Sequence, residues 1–348
     1  MVGADNPHRI DPPLTALAAG QLVMMQIGFI GIGAGAATAL LFASVTSGTM
    51  LSIPLAYLAP LPILIAGLGW SSWAALVAAV TATVAIGLFL GGVFFLAFLI
   101  GIGIPAWWLS YLTMLARPAV AGGNGAAPAA LEWYPPGRLV VWAAVLSAAF
   151  VIFAILSLGT DADGFRTALR TSIAEIVRIA VAEGGPNSPA ALRNPDRLID
   201  LMVQTIPPGM AVMATVTNIV NLWLAARIVK FSGRLTRPWP ELTEITFPHS
   251  VAAALALSVA LSFLDGLIGI FASVVAAALL MAYGMLGFAV LLSITQGIKS
   301  RGFVLAGVVT AVIVFRWPVL ALCLLGLIET VFDLRGRAAR KRGPPARL

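Results

Sequence analysis

The sequence predicts an all-α fold: a polytopic transmembrane bundle of about ten helices, with the N and C termini cytoplasmic. Three observations carry this. First, 60% of the 348 residues are hydrophobic and 10% charged, against about 25% charged in a soluble domain. Second, long apolar runs follow one another with few charges between them. They do not alternate polar with apolar, as the strands of a membrane β-barrel would. Third, the cations are placed unevenly. Of the 21 Lys and Arg, fifteen fall in segments 1–19, 69–72, 116–138, 227–249, 298–301 and 335–348. Six fall in the alternate segments, where 159–205 also carries six acids. Cations resist translocation, so the richer set is expected on the cytoplasmic face.

The predicted order begins with a cytoplasmic tail, 1–19, which is polar and proline-rich and has no cleavable leader pattern. A four-helix membrane part, 20–116, follows. Its first helix, 17–45, repeats small residues every fourth position at Gly31, Gly35, Ala39 and Ala43. Such a stripe lets another helix approach closely; it serves either packing within this chain or docking of a separate membrane subunit. The stretch 51–76 holds Pro54, Pro60 and Pro62 in an apolar run, then the turn Trp70-Ser71-Ser72-Trp73. Prolines in a membrane helix free backbone carbonyls that neighbours must satisfy, which places this stretch against other helices or a cavity. The predicted second helix is 52–68 and the third 72–90. The fourth, 93–115, is interrupted at Pro105 and ends on Trp107, Trp108 and Tyr111, rings suited to the headgroup level.

Residues 117–137 lack periodicity and read as a flexible cytoplasmic linker. The C-terminal membrane part, 138–334, opens with a helix at 138–158. The polar segment 159–205 holds two amphipathic helices outside the membrane. In the first, Phe165, Leu169, Ile173, Ile176, Val177 and Ala180 share a face and Asp163 caps the start. The second starts at Asn194-Pro195-Asp196. They form either a passive cover or a moving lid. Further spans are expected at 207–230, 250–264 and 267–298, the last either tilting strongly or bending near Gly284 and Gly287. The apolar stretch 302–334 is split at Arg316-Trp317-Pro318. Each half falls short of the ~20 residues of a full span, so the pair is either two short spans or a re-entrant hairpin. About eight full spans then precede it. The tail 335–348 is basic and suits anionic lipid at a cytoplasmic leaflet.

Polar side chains in the hydrocarbon zone are the candidate ligand-binding groups. Asn218 and Asn221 lie three apart on one helix face and act either as an interhelical clamp or on a ligand path. Gln26 and Gln296 are weaker instances. Asp265, before Gly266, is a turn residue or a carboxylate for a cationic solute. Arg316 reaches the outer headgroups or pairs with Asp265. Glu329, Asp333, Arg335 and Arg337 form an interfacial charge cluster.

Catalysis is not expected. The two histidines, His8 and His249, stand far apart, and no HExxH, GxSxG or GxxxxGKS pattern is present. The single cysteine, Cys323, excludes an intramolecular disulfide and a multi-cysteine metal site. No metal, cofactor or nucleic acid is implied. The expected partners are membrane lipid, a small-molecule ligand and another membrane subunit.

At Ala59-Pro-Leu-Pro-Ile-Leu-Ile-Ala-Gly-Leu-Gly-Trp70, and again at Gly326-Leu-Ile-Glu-Thr-Val-Phe-Asp-Leu-Arg335, the chain resembles the YybS-like family of bacterial membrane proteins. That family is distantly similar to the substrate-binding membrane subunits of energy-coupling-factor transporters. The resemblance implies an inner-membrane location and a non-catalytic solute-binding or transport role. It also implies that the Gly31, Gly35, Ala39, Ala43 stripe docks a coupling subunit. The leading expectation is therefore a transport subunit with a cavity between the second, sixth and eighth helices. The alternative is an assembly protein with no solute.

Overall fold

Seven helices among the described residues are long and apolar enough to cross a membrane, and three shorter apolar helices accompany them. This comes from a computed structural model that describes residues 12–118, 131–159, 161–184, 195–239, 245–296, 300–315 and 317–337. The chain divides into two compact units, Met1–Tyr111 with Leu224–Leu235 and Leu112–Trp223 with Thr236–Leu348.

Unit 1 is built on helices α1 (Pro12–Ala43), α2 (Ser52–Tyr57), α3 (Pro60–Gly69) and α4 (Ser72–Leu90), then α5 (Gly92–Phe98) and α6 (Ile104–Thr113). The proline-rich stretch forms the one expected span, Ser52–Gly69, divided into the two helical runs α2 and α3. Pro54 stands third in α2, while Pro60 and Pro62 stand first and third in α3. First-turn N–H groups have no partner inside a helix, so all three prolines sit where no backbone bond is lost. They set helix starts and leave no carbonyls for a cavity to satisfy. Only the α3 part of the stretch is internal: Ala59, Ile63, Leu64, Ala66 and Leu68 are at most 2% exposed, whereas Pro54, Ile53 and Leu55 of α2 are exposed. Ser71 ends the turn by accepting the N–H of Ala74 at 3.2 Å, which caps α4.

Between α5 and α6 lies a π-helical turn, Leu99–Gly103. Pro105 has no N–H to donate one turn back, so the ladder widens there instead of breaking. On α1, a Cβ at Gly31 would come within 2.7 Å of Val77, and one at Gly35 within 2.6 Å of the Ala78 carbonyl. Both glycines therefore seat α1 on α4 inside this chain.

Unit 2 opens with an antiparallel hairpin, β1 (Ala116–Pro118) and β2 (Leu131–Trp133). The segment expected as a featureless linker thus pairs its own ends, Arg117 facing Glu132. Then come α7 (Pro136–Leu158), α8 (Ala162–Gly184), α9 (Pro195–Phe231), α10 (His249–Leu261), α11 (Gly266–Ile294), α12 (Arg301–Phe315) and α13 (Pro318–Phe332). The cap of α8 is Asp161, whose carboxylate accepts the Gly164 N–H at 2.9 Å, not Asp163. Of the amphipathic face, Phe165, Ile173 and Val177 are buried, but Ile176 is 65% exposed.

The second amphipathic helix and the sixth span are one helix, α9, with Pro207 and Pro208 inside it. Ile173 and Val177 of α8 pack on Ile199, and Met202, Val203 and Ile206 join them. Arg170 binds Asp196 and Asp200. Burial and ion pairs along this edge hold the helix through the prolines. The 250–264 segment, expected as a full span, is the 13-residue α10, about 20 Å long. Helix α11 is continuous. Its Gly284 and Gly287 admit α13: a Cβ at Gly284 would meet the Cys323 sulfur at 3.2 Å, and Gly287 lies against the Leu322 carbonyl. The two 15-residue helices α12 and α13 occupy the last apolar stretch. Arg316 and the tail beyond 337 lie outside the described residues, as do His8 and most of the N-terminal tail.

Candidate functional site

The polar residues singled out from the sequence do not converge. Asn218 and Asn221 are 5% and 2% exposed on α9. The Asn218 amide donates to Ser147 Oγ of α7 at 3.1 Å, and Asn221 donates to the Thr217 carbonyl one turn back at 2.9 Å. Asp265 is exposed at the N-terminal end of α11, where its backbone is extended and Gly266 takes φ 80°. Gln296 is exposed just past the other end of the same helix. About thirty helical residues separate the two, roughly 45 Å, so one small ligand does not touch both. Gln26 is exposed on α1 in unit 1. Of the docking stripe, Gly31 and Gly35 are buried on α4, and Ala39 and Ala43 are half-buried.

What unit 2 does contain is an apolar groove of about 500 Å³ between α7, α10 and α11. Its origin is in side-chain size. Ala144 and Ala148 of α7 are buried, while Val145 and Ala149 beside them are exposed. Across from them stand Val251 and Ala254 of α10, with Val275 and Leu279 of α11 below. Small side chains on facing helices leave a trough where larger ones would interdigitate. Its volume lies within the ~300–1,000 Å³ of small-molecule sites. The one polar side chain in its lining is Ser250. Neither Asn218 nor Asn221 lines it; the bonded Ser147 lies on the opposite side of α7, fixing that helix from behind.

A second cavity, of about 380 Å³, lies where α7 begins. Arg117, Glu132, Trp133, Tyr134 and Arg138 contribute to it. Arg117 Nε donates to Glu132 at 2.9 Å. That hydrogen bond, then the charge itself, holds the Glu132 carboxyl below the usual carboxylate range and raises Arg117. Arg237, 6% exposed, donates to the carbonyls of Thr113 and Tyr134 at 2.9 and 2.8 Å, and its burial lowers its pKa. Tyr134 also accepts the Trp142 indole N–H at 3.0 Å. These bonds fix the segment leading into α7.

The model of a family described as "Predicted membrane protein (DUF2232)" matches residues 36–330, from within α1 to the last turn of α13. The chain belongs to the DUF2232 family. It is embedded in a membrane through several apolar helices. The match takes in the groove and the cavity beside it. No curated protein and no solved structure matches the chain.

Sequence reasoning missed the groove. Its signal was the recurrence of alanine at 143, 144, 148 and 149, but small residues mark close helix contact as readily as a trough. Only the positions of the facing helices separate the two. Three or more His, Cys, Asp or Glu side chains grouped to hold a metal do not occur among the described residues.

Proposed function

We propose that this DUF2232 protein is a non-catalytic membrane subunit that binds or transports a small solute with substantial apolar surface. It would reside in a bacterial inner membrane with both termini cytoplasmic. The observation that carries the reading is the groove between α7, α10 and α11. It is wide enough for a small molecule and almost wholly apolar, and it runs beside a charged, aromatic cavity at the head of α7. Helix α8 and the first turns of α9, tied by Arg170 to Asp196 and Asp200, would be the extramembrane cover.

The test is mass spectrometry of what remains bound after the full chain is purified with native lipid. An apolar or amphiphilic molecule should be retained, and Ala149→Trp, which fills the groove from its exposed rim, should release it. Identical bound molecules in the wild type and the Ala149→Trp variant would rule out this groove.

A second reading, an assembly protein with no solute, is favoured by the Asn218 amide, which is occupied by Ser147. In that case the purified chain carries nothing that Ala149→Trp removes. Its contacts would run through the basic tail, since Gly31 and Gly35 are already used on α4.

A further inference from the structure

We infer that the α7 groove is the tail site of an anionic phospholipid, whose headgroup sits in the adjoining cavity against Arg138. The inference rests on the groove reading and names its occupant. Three observations converge on it.

The first is continuity. Both cavities adjoin one face of α7. Arg138 lines the cavity at the head of the helix, and Val141, Val145 and Ile152 line the groove. Spacings of three, four and seven place these residues on one helical stripe. Arg138 lies in the first turn of α7, and a helical side chain points back toward the N-terminus. Its guanidinium therefore rises away from the groove, toward the headgroup layer. Gly137 lies against the carbonyl of Thr246, just before α10. The starts of α7 and α10 are thus level, and Ser250, the second residue of α10, lines the groove near that level.

The second is charge. The cavity holds Arg117, Glu132 and Arg138. Arg117 and Glu132 neutralise each other at 2.9 Å. Arg138 is exposed, and no carboxylate among the described residues pairs with it. The net excess is one cation, which an anionic headgroup complements and a zwitterionic one does not.

The third is chemistry along α7: the Arg138 cation, aromatic Trp133 and Tyr134 at its level, then only alkyl side chains from α7 itself, with Ser250 of α10 the one polar group in the groove. That order, charged and aromatic above and hydrocarbon below, is the polarity profile of a lipid molecule in its leaflet.

The test is photolabelling of the full chain reconstituted in phosphatidylcholine vesicles. A trace of phosphatidylglycerol with a mid-chain diazirine is compared with phosphatidylcholine carrying the same chain. Adducts are expected within 139–158 and 249–261, with the anionic lipid favoured about fivefold, the ~1 kcal/mol of one cation at an anionic headgroup. Arg138→Gln should bring the two lipids to parity there without reducing phosphatidylcholine labelling. Arg138→Lys should keep the preference. Adduct position separates this site from loose attraction of lipid to the basic tail. Equal labelling in the wild type, or a preference that survives Arg138→Gln, overturns the headgroup site and leaves the groove standing. Absence of adducts within 139–158 from either lipid overturns both.

Discussion

At the end of α13 the Arg335 guanidinium meets the Glu329 carboxylate at 2.6 Å, with the two side chains only 10% and 6% exposed. Arg335 also donates to the Ile245 carbonyl at 2.7 Å. The arrangement follows from Asp333, whose left-handed backbone (φ 46°) folds the chain back so that residue 335 returns to 329. Within the expected charge cluster the ion pair joins Glu329 and Arg335, six residues apart. Removing one partner of a buried pair strands the other charge, at a cost of about 3–5 kcal/mol. Glu329→Gln should therefore lower the unfolding temperature markedly. Glu329→Met with Arg335→Leu, which removes both charges, should recover much of it. The single cysteine makes the measurement direct. Cys323 is 3% exposed on α13, with its thiol donating to the Leu280 carbonyl. A thiol-reactive dye will report its release on heating.

Among the elements, the β1–β2 hairpin and the segment after α9 depend on each other. Arg237 reaches the Thr113 carbonyl in the last turn of α6 and the Tyr134 carbonyl just before α7. Both carbonyls belong to backbone that neither helix satisfies, and a charged donor is worth more to each than a neutral one. Arg237→Met keeps the apolar stem and removes both bonds. It should destabilise unit 2 by about 2–3 kcal/mol. Protease cleavage around 114–135 should rise more than cleavage in α9; equal protection in the variant would show that the latch is dispensable. The Arg117–Glu132 pair on the hairpin is exposed and screened, and contributes little. Its sign is still defined. With Glu132 held below its ordinary value, the pair's contribution is present at neutral pH and is lost as pH falls through that depressed value.

For the whole molecule, the orientation is an electrostatic question. Fifteen of 21 cations lie in the alternate segments assigned to one face, so a fluorescent protein fused after Leu348 should mature. A phosphatase that works only in the periplasm should stay silent at the same position. The reverse pair of results would invert every assignment of inner and outer loops.

Composition and run length by themselves determined that the chain lies in a membrane, that it is helical and where most helices start. Those properties depend on transfer energy and on local capping by residues such as Ser71 and Pro60. The amphipathic face of α8 was legible for the same reason. The tertiary structure alone decided that Gly31 and Gly35 serve α4, that Pro207 and Pro208 lie inside one helix, and that Asn218 meets Ser147. It also decided that a groove opens along α7. A small or polar side chain on a membrane helix states only that something must approach it. What approaches depends on helices distant in sequence, because van der Waals fit and hydrogen-bond geometry exist only between surfaces already brought together.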